Sequence, residues 1–243
     1  MTQEKINISI ISHNQANIVK NLLRDLEKIE NINEILITIN TKEDIQELRK
    51  FKKFPINFIT NKEVKGFGEN HNYAFNSSTC DYFVIINPDV RIKKICFKNL
   101  IKYFNIDNTF LLSPKAVDES NHMQDNAREF PSLITPFLRK LNFLQKNKYN
   151  DSHDYNEVDW VSGMFMIMKS ENFKNIGMFD SKFFMYYEDV DLCKRIKISG
   201  GKTLRINTQT VIHVGNHQSH KSFKFFYIHL KSMLYYHIKY LFK

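Results

Sequence analysis

The sequence predicts an α/β protein with a mostly parallel central sheet flanked by helices, and three observations carry that prediction. Short apolar runs alternate with segments whose apolar residues recur at helical spacing. The runs end in polar stretches (Ser12-His13-Asn14, Thr38 to Thr41, Asn87-Pro88-Asp89), and ligands of such sheets bind beyond these carboxyl ends. The chain has 243 residues, 42% of them hydrophobic, enough for one medium domain with a sizeable core.

Ile6 to Ser12 alternates and then turns apolar, as a buried first strand does. Asn14 to Ile29 repeats Ile18, Leu22, Leu26 and Ile29, a helix. Glu34 to Asn40 is the second strand, and Thr41 to Phe51 a second helix with Thr41 as N-cap. Pro55 to Thr60 is the third strand. A loop holding Gly66 and Gly68 precedes a helix over Glu69 to Ser77, and Asp81 to Asn87 is a strongly apolar fourth strand. The second half is less regular. Leu111 to Val117 reads as a strand. Residues 118–157, polar and containing Pro131 and Pro136, read as a long loop with short helices near an acceptor. Val158 to Lys169 is apolar and broken by Gly163. Glu188 to Ser199 is a helix closed by Gly200-Gly201, and short strand material fills Thr203 to His213. The boundaries expected are a main domain over 1–220 and an appended helix over 221–243.

Thirty-five Lys and Arg against 26 Asp and Glu give a formal charge of +9. That excess suits nucleic acid, an anionic membrane surface or phosphate-bearing substrates. The lysines are spread along the chain and no known nucleic-acid motif occurs, so no nucleic-acid partner is expected. Cys80, Cys96 and Cys193 lack CxxC spacing and read as reduced thiols of a cytosolic protein. Residues 1–5 lack the apolar region of a signal peptide, and no run approaches the ~20 apolar residues of a membrane span.

Four stretches can carry chemistry. Asp89, in Asn87-Pro88-Asp89, can aim a carboxylate into the crevice and hold Mg²⁺ or Mn²⁺ against a diphosphate, although the tripeptide alone favours a plain turn. Glu188, Asp189 and Asp191 follow the aromatic run Phe183 to Tyr187. They fit either a helix start favoured by its dipole or a general base with a tuned pKa beside an apolar wall. His213, just past a β-branched stretch and close to Gly215, can complete a metal site or be structural. Lys65 to Asn72 places two glycines before a helix, a weak phosphate or sugar cradle.

Together, Asp81 to Asp89, Val158 to Gly163, Ile176 to Asp180 and Tyr186 to Leu192, with His213 beyond, resemble the family-2 glycosyltransferases of GT-A fold. The likeness is greatest to rhamnosyltransferase-like members that build bacterial surface polysaccharides. It spans roughly residues 6–220. The resemblance implies a nucleotide-sugar transferase with a Rossmann-like sheet. Asp89 stands where the family's metal carboxylate stands, with Asn87 in place of the first acid, and His213 matches a histidine at the metal or diphosphate. Asp189 takes the place of the catalytic base, supported by Glu188 and Asp191. Donor contacts are implied for Ser12, Asn14, Asn40, Gly66, Phe67, Asn72, Asn87, Trp160 and Gly163. One departure is plain: Ile39 occupies the position of an Asp that commonly bonds the base, which leaves recognition to Asn40, Thr38, main-chain groups or another loop. The departure admits an inactive relative as an alternative, against which the intact Asp89, Glu188, Asp189 and His213 argue.

From Ser222 to Lys243, the residues Phe223, Phe226, Tyr227, Leu230, Leu234, Ile238 and Leu241 fall on one helical face with lysines around them. This predicts an interfacial helix on an anionic membrane. The alternatives are a helix packed on the main domain or a homodimer contact. A nucleotidyltransferase would need a Gly-rich basic loop after the first strand, which Ser12 to Gln15 lacks.

Overall fold

The computed structural model describes residues 4–132, 149, 151–215 and 223–241. In the first half, β1 (Ile6–Ser12), α1 (Ala16–Leu26), β2 (Glu34–Ile39), β3 (Ile56–Thr60), α2 (Phe67–Asn76) and β4 (Tyr82–Ile86) follow the predicted alternation. The strands run parallel in the order β3-β2-β1-β4.

The predicted helix over 41–51 does not form; its place is taken by coil and one 3-10 turn, Leu48–Lys50. The segment's polar groups serve α1 instead. Glu43 accepts the Ala16 backbone N–H at 2.8 Å, capping α1 from a distance, and Glu47 pairs with Lys20. Ile45, Leu48 and Phe51 still pack on the core, so three-residue spacing alone did not require a helix.

Beyond β4 the sheet becomes mixed. The remaining elements are β5 (Val90–Lys94), α3 (Phe97–Ile101), β6 (Thr109–Val117), β7 (Ala127–Arg128), β8 (Tyr155–Val158), β9 (Trp160–Val161), β10 (Phe165–Lys169), α4 (Ser170–Asn175), α5 (Glu188–Ile198), β11 (Lys202–His213) and α6 (Phe223–Lys239). β10 inserts antiparallel between β4 and β6, and β11 pairs parallel with β6 and antiparallel with β5 and β8. β6 and β10 are antiparallel neighbours, as are β4 and β10. The expected short strands over 203–213 are one strand of 12 residues with register shifts. Of the predicted loop over 118–157, residues 133–148 and 150 lie outside the described residues, as do 216–222 and 242–243 near and within the tail.

Period-two alternation sorts the strands between two cores. Ile6, Ile8 and Ile10 face α1 and α3; Phe83, Ile85 and Met166 face the α2, α4 and α5 side. Under the strand ends, α1 is fixed to β5 by Asp25, which accepts two bonds from Arg91 (2.6 and 3.0 Å) and one from the Ile92 N–H. Cys80, Cys96 and Cys193 are free thiols.

His71, on the inner face of α2, is fully buried, with Nδ1 2.8 Å from Ser9 Oγ and the ring against Phe67. Burial pushes its pKa down to about 3. The unfolded chain therefore protonates this imidazole first. His71 supports stability fully above an unfolded pKa of about 6.5, and its contribution falls by about 1.4 kcal/mol per pH unit below that. We expect the melting temperature of His71→Leu to be lower at pH 8 and to decline less steeply from pH 6.5 to 4. Parallel wild-type and variant profiles would refute this.

Candidate active site

A cavity of about 760 Å³ opens beyond the carboxyl ends of β1, β2 and β4, lined there by Ile11, His13, Asn40, Asn87 and Asp89. Asp89 lies in the tight turn between β4 and β5, where the Val90 N–H returns to the Asn87 carbonyl. His213, the last residue of β11, reaches it: Nε2 is 3.4 Å from Asp89 Oδ2. The ring's other nitrogen, Nδ1, is 2.7 Å from Gln124 Oε1, and Gln124 Nε2 donates to the His213 carbonyl at 2.9 Å. Gln124 thus fixes the ring plane and turns Nε2 toward the cavity.

Glu188 and Asp189 open α5 on the same cavity. Tyr186 and Tyr187, just before them, both adopt left-handed backbone (φ 68° and 67°), an arrangement that costs ordinary residues energy and persists only where the surroundings enforce it. Those surroundings are α6. Ser232 Oγ donates to the Met185 carbonyl at 2.8 Å, and the Tyr187 ring packs against His229 and Tyr236. Glu188 is buried and Asp189 half-buried, and their environments differ. Asp189 Oδ2 accepts the Gly163 N–H at 3.0 Å and Oδ1 the Val190 N–H at 2.8 Å. Glu188 Oε2 is buried without a hydrogen-bond partner among the described residues. Burial raises the pKa of both. Glu188 goes furthest, with the Asp189 charge adding to desolvation, whereas two backbone N–H groups and Arg128 hold Asp189 back. Of the two, Asp189 is therefore the easier to ionise and Glu188 the harder.

A second cavity, about 320 Å³, meets the first at Tyr186, Glu188 and Asp189; Arg128, Glu129, Trp160 and His229 form its other walls. Trp160 thus faces this second cavity and not the larger one. Several other expected donor contacts also lie elsewhere. Ser12 is fully buried and does not line the cavity, and Asn14 is an exposed left-handed residue (φ 58°) of the turn into α1. Asn72 is committed to the main chain of Phe179, accepting its N–H and donating to its carbonyl. Asp191 is buried away from both cavities, bound by Arg195, Lys239 and Tyr240. Asn40 lines the first cavity, but its amide clamps the glycine loop, accepting the Lys65 N–H at 2.9 Å and donating to the Lys65 carbonyl at 3.0 Å. Gly66, Phe67, Asn87 and Gly163 do surround the cavity or its loop. Ile39 points into the core, and His13, Gln15 and Thr41 join Asn40 as polar side chains at that end.

Among the described residues no group of three or more His, Cys, Asp or Glu side chains is poised to hold a metal ion. Asp89 and His213 offer a carboxylate and an imidazole on one wall. Such a pair fits Mg²⁺ or Mn²⁺ when phosphate oxygens and water complete the shell.

A mixed sheet between helices, with carboxylates and a histidine gathered at its strand ends, suits a group-transfer enzyme. The model of "Glycosyl transferase family 2" matches residues 8–191, and the chain belongs to that family. The chain is 28% identical over 238 residues to rhamnosyltransferase WbbL of Escherichia coli, covering 93% of this chain and 89% of that protein. It is 24% identical over 172 residues to N-acetylglucosaminyl-diphospho-decaprenol L-rhamnosyltransferase of Mycobacterium tuberculosis, covering 67% of this chain and 55% of that one. Its fold is that of the GT-A glycosyltransferases. GalNAc-T7, solved with UDP, GalNAc and Mn²⁺, superposes with a TM-score of 0.71 at 14% identity, over 96% of this chain and 47% of that one. A Pyrobaculum calidifontis mannosyltransferase, solved with GDP-Man and Mn²⁺, gives 0.65 at 12% identity over 90% and 59%. The chain thus spans about half of the length of GalNAc-T7.

Proposed function

We propose that the protein is an inverting glycosyltransferase of bacterial surface-polysaccharide synthesis (O-antigen, capsule or lipooligosaccharide). It moves a sugar from dTDP-rhamnose or a UDP-hexose to a hydroxyl of a glycan or lipid-linked acceptor. A lipid-linked acceptor places this work at the cytoplasmic face of a membrane. The observation that carries the reading is the meeting of two cavities at one carboxyl pair, Glu188 and Asp189. The larger holds the donor, with its diphosphate beside Asp89 and His213; the smaller holds the acceptor between Trp160, Tyr186 and Arg128. Asp189 takes the proton of the acceptor hydroxyl as that oxygen bonds to the anomeric carbon and the bond from that carbon to the diphosphate oxygen breaks. Glu188 keeps its own proton and so leaves the charge on Asp189 alone. A divalent cation held by Asp89 and His213, Mn²⁺ or Mg²⁺, would neutralise the charge released onto the diphosphate. Rhamnose leads the donor choices because of the likeness to the two rhamnosyltransferases.

The test is thermal stabilisation by UDP, dTDP, GDP and CMP, each with and without Mn²⁺. We expect dTDP or UDP to raise the melting temperature only with metal. A ligand at a hundredfold its Kd contributes about 2.7 kcal/mol, roughly 5–10 °C in a chain of this size. Asp89→Ala should abolish the metal-dependent part of that shift. No shift with any nucleotide would sink the reading and favour a catalytically impaired relative in which Ile39 has removed base recognition.

A further inference from the structure

The helix α6 has two unlike faces. Its inner face builds the site: Lys224, Phe225 and Ile228 line the larger cavity, His229 lines the smaller, and Tyr236 is buried. Its outer face carries Phe223, Phe226, Leu230, Leu234, Ile238 and Leu241 at helical spacing, each between 36% and 93% exposed. Apolar side chains in such a row bury little on folding alone, and a stripe of this length marks an interaction surface. It begins beside the mouth of the larger cavity, where Val64 and Phe184 are also exposed.

Charge says what covers the stripe. All 26 acidic residues lie at or before Asp191, whereas ten of the 35 Lys and Arg follow it. The net positive charge of the chain therefore resides in its last 52 residues. Arg195, Lys197, Arg205 and Lys239 are engaged with Asp191, Asp159, Asp151 and Asp180. Lys231 is exposed on the flank of the stripe, and Lys224, at the edge between the stripe and the cavity it lines, is exposed as well. Apolar residues edged by lysines, with no acid anywhere on the helix, match an anionic bilayer surface. A second copy would set these lysines against the same cationic segment. No helix among the described residues is long and apolar enough to cross a membrane.

We infer that the outer face of α6 docks the protein on an anionic lipid surface, with the apolar stripe in the headgroup layer and the cavity mouth beside it. The docking rests on this surface alone; its use in catalysis rests on the lipid-linked acceptor proposed above. One helix then holds the strained Tyr186–Tyr187 turn on its inside and the bilayer on its outside.

The test is co-sedimentation of the full chain with phosphatidylglycerol–phosphatidylethanolamine vesicles and with pure phosphatidylcholine vesicles. Wild type should bind the anionic vesicles preferentially. The triple variant Leu230→Glu, Leu234→Glu, Ile238→Glu should bind them at least about tenfold more weakly, because each change removes an inserted apolar group. Its melting temperature and metal-dependent nucleotide shift should be unchanged. Equal binding by the variant, or none by wild type, overturns the inference. So does a wild-type dimer that the triple variant converts to monomer without any vesicle binding, since the stripe would then face a second copy. Vesicle binding without any nucleotide shift would leave the docking standing and sink the transferase reading instead.

Discussion

Asp189→Asn is expected to lower kcat by about 10²–10⁴-fold, the usual contribution of a general base, while Kd for the nucleotide donor changes little. Asparagine keeps the size of the side chain and removes the proton acceptor. It also presents an NH₂ group where the carboxylate accepts the Gly163 or Val190 N–H, so one backbone donor faces another. That mismatch costs about 1–3 kcal/mol of stability. Assays therefore belong below the variant's melting temperature, with donor binding measured alongside turnover. The pH profile gives a second readout. Burial raises the Asp189 pKa, so wild-type kcat should be fully developed above that raised value and be lost as the pH falls through it. The acid limb then lies above the ordinary aspartate value of about 3.9. Near-wild-type turnover in Asp189→Asn would remove Asp189 from the reaction.

The parallel half of the sheet was legible because its signals are local: β1 to β4 each announce themselves by alternation and by the helix or loop that follows. The segment after β2 was not, because its polar residues are drawn to α1, where Glu43 caps Ala16, a contact outside the segment itself. The site shows the same division. Asp89, Glu188, Asp189 and His213 sit in short motifs, and the fold brings them to one cavity. Asp191 was grouped with them by proximity in sequence. On a helix, however, residues two apart point about 200° apart, and Asp191 faces Arg195 and α6 while Asp189 faces the cavity. Gln124 and Arg128 lie in an irregular stretch with no periodic signal, so nothing local marked them. Lys224 and His229 were legible only as part of an amphipathic helix. That their face of the helix forms cavity wall is a tertiary fact.

The glycine loop tests the coupling between donor and catalytic turn most directly. Gly66 has an ordinary backbone conformation (φ −68°, ψ 165°), so alanine is acceptable there on conformational grounds. Space forbids it. A Cβ would stand 2.5 Å from the Phe184 carbonyl oxygen and 2.9 Å from its Cα, backbone atoms that cannot swing aside. The same carbonyl accepts the Phe67 N–H at 2.9 Å, so the loop is docked directly on the segment that leads into the Tyr186–Tyr187 turn. Gly66→Ala must push the two apart, which typically costs about 1–3 kcal/mol, or roughly 2–10 °C in melting temperature. Because the displaced backbone lies four residues before Glu188, we also expect kcat to fall by about 10²-fold, the scale of a 1 Å misplacement of catalytic groups. Gly200→Ala is the control. It sits at φ +81° with nothing within 4 Å of the added methyl, so it should lose about 1–2 kcal/mol from backbone strain alone and keep its kcat. If both variants lost stability and both kept full turnover, the docking of the loop on Phe184 would be a packing contact with no bearing on where Glu188 and Asp189 point.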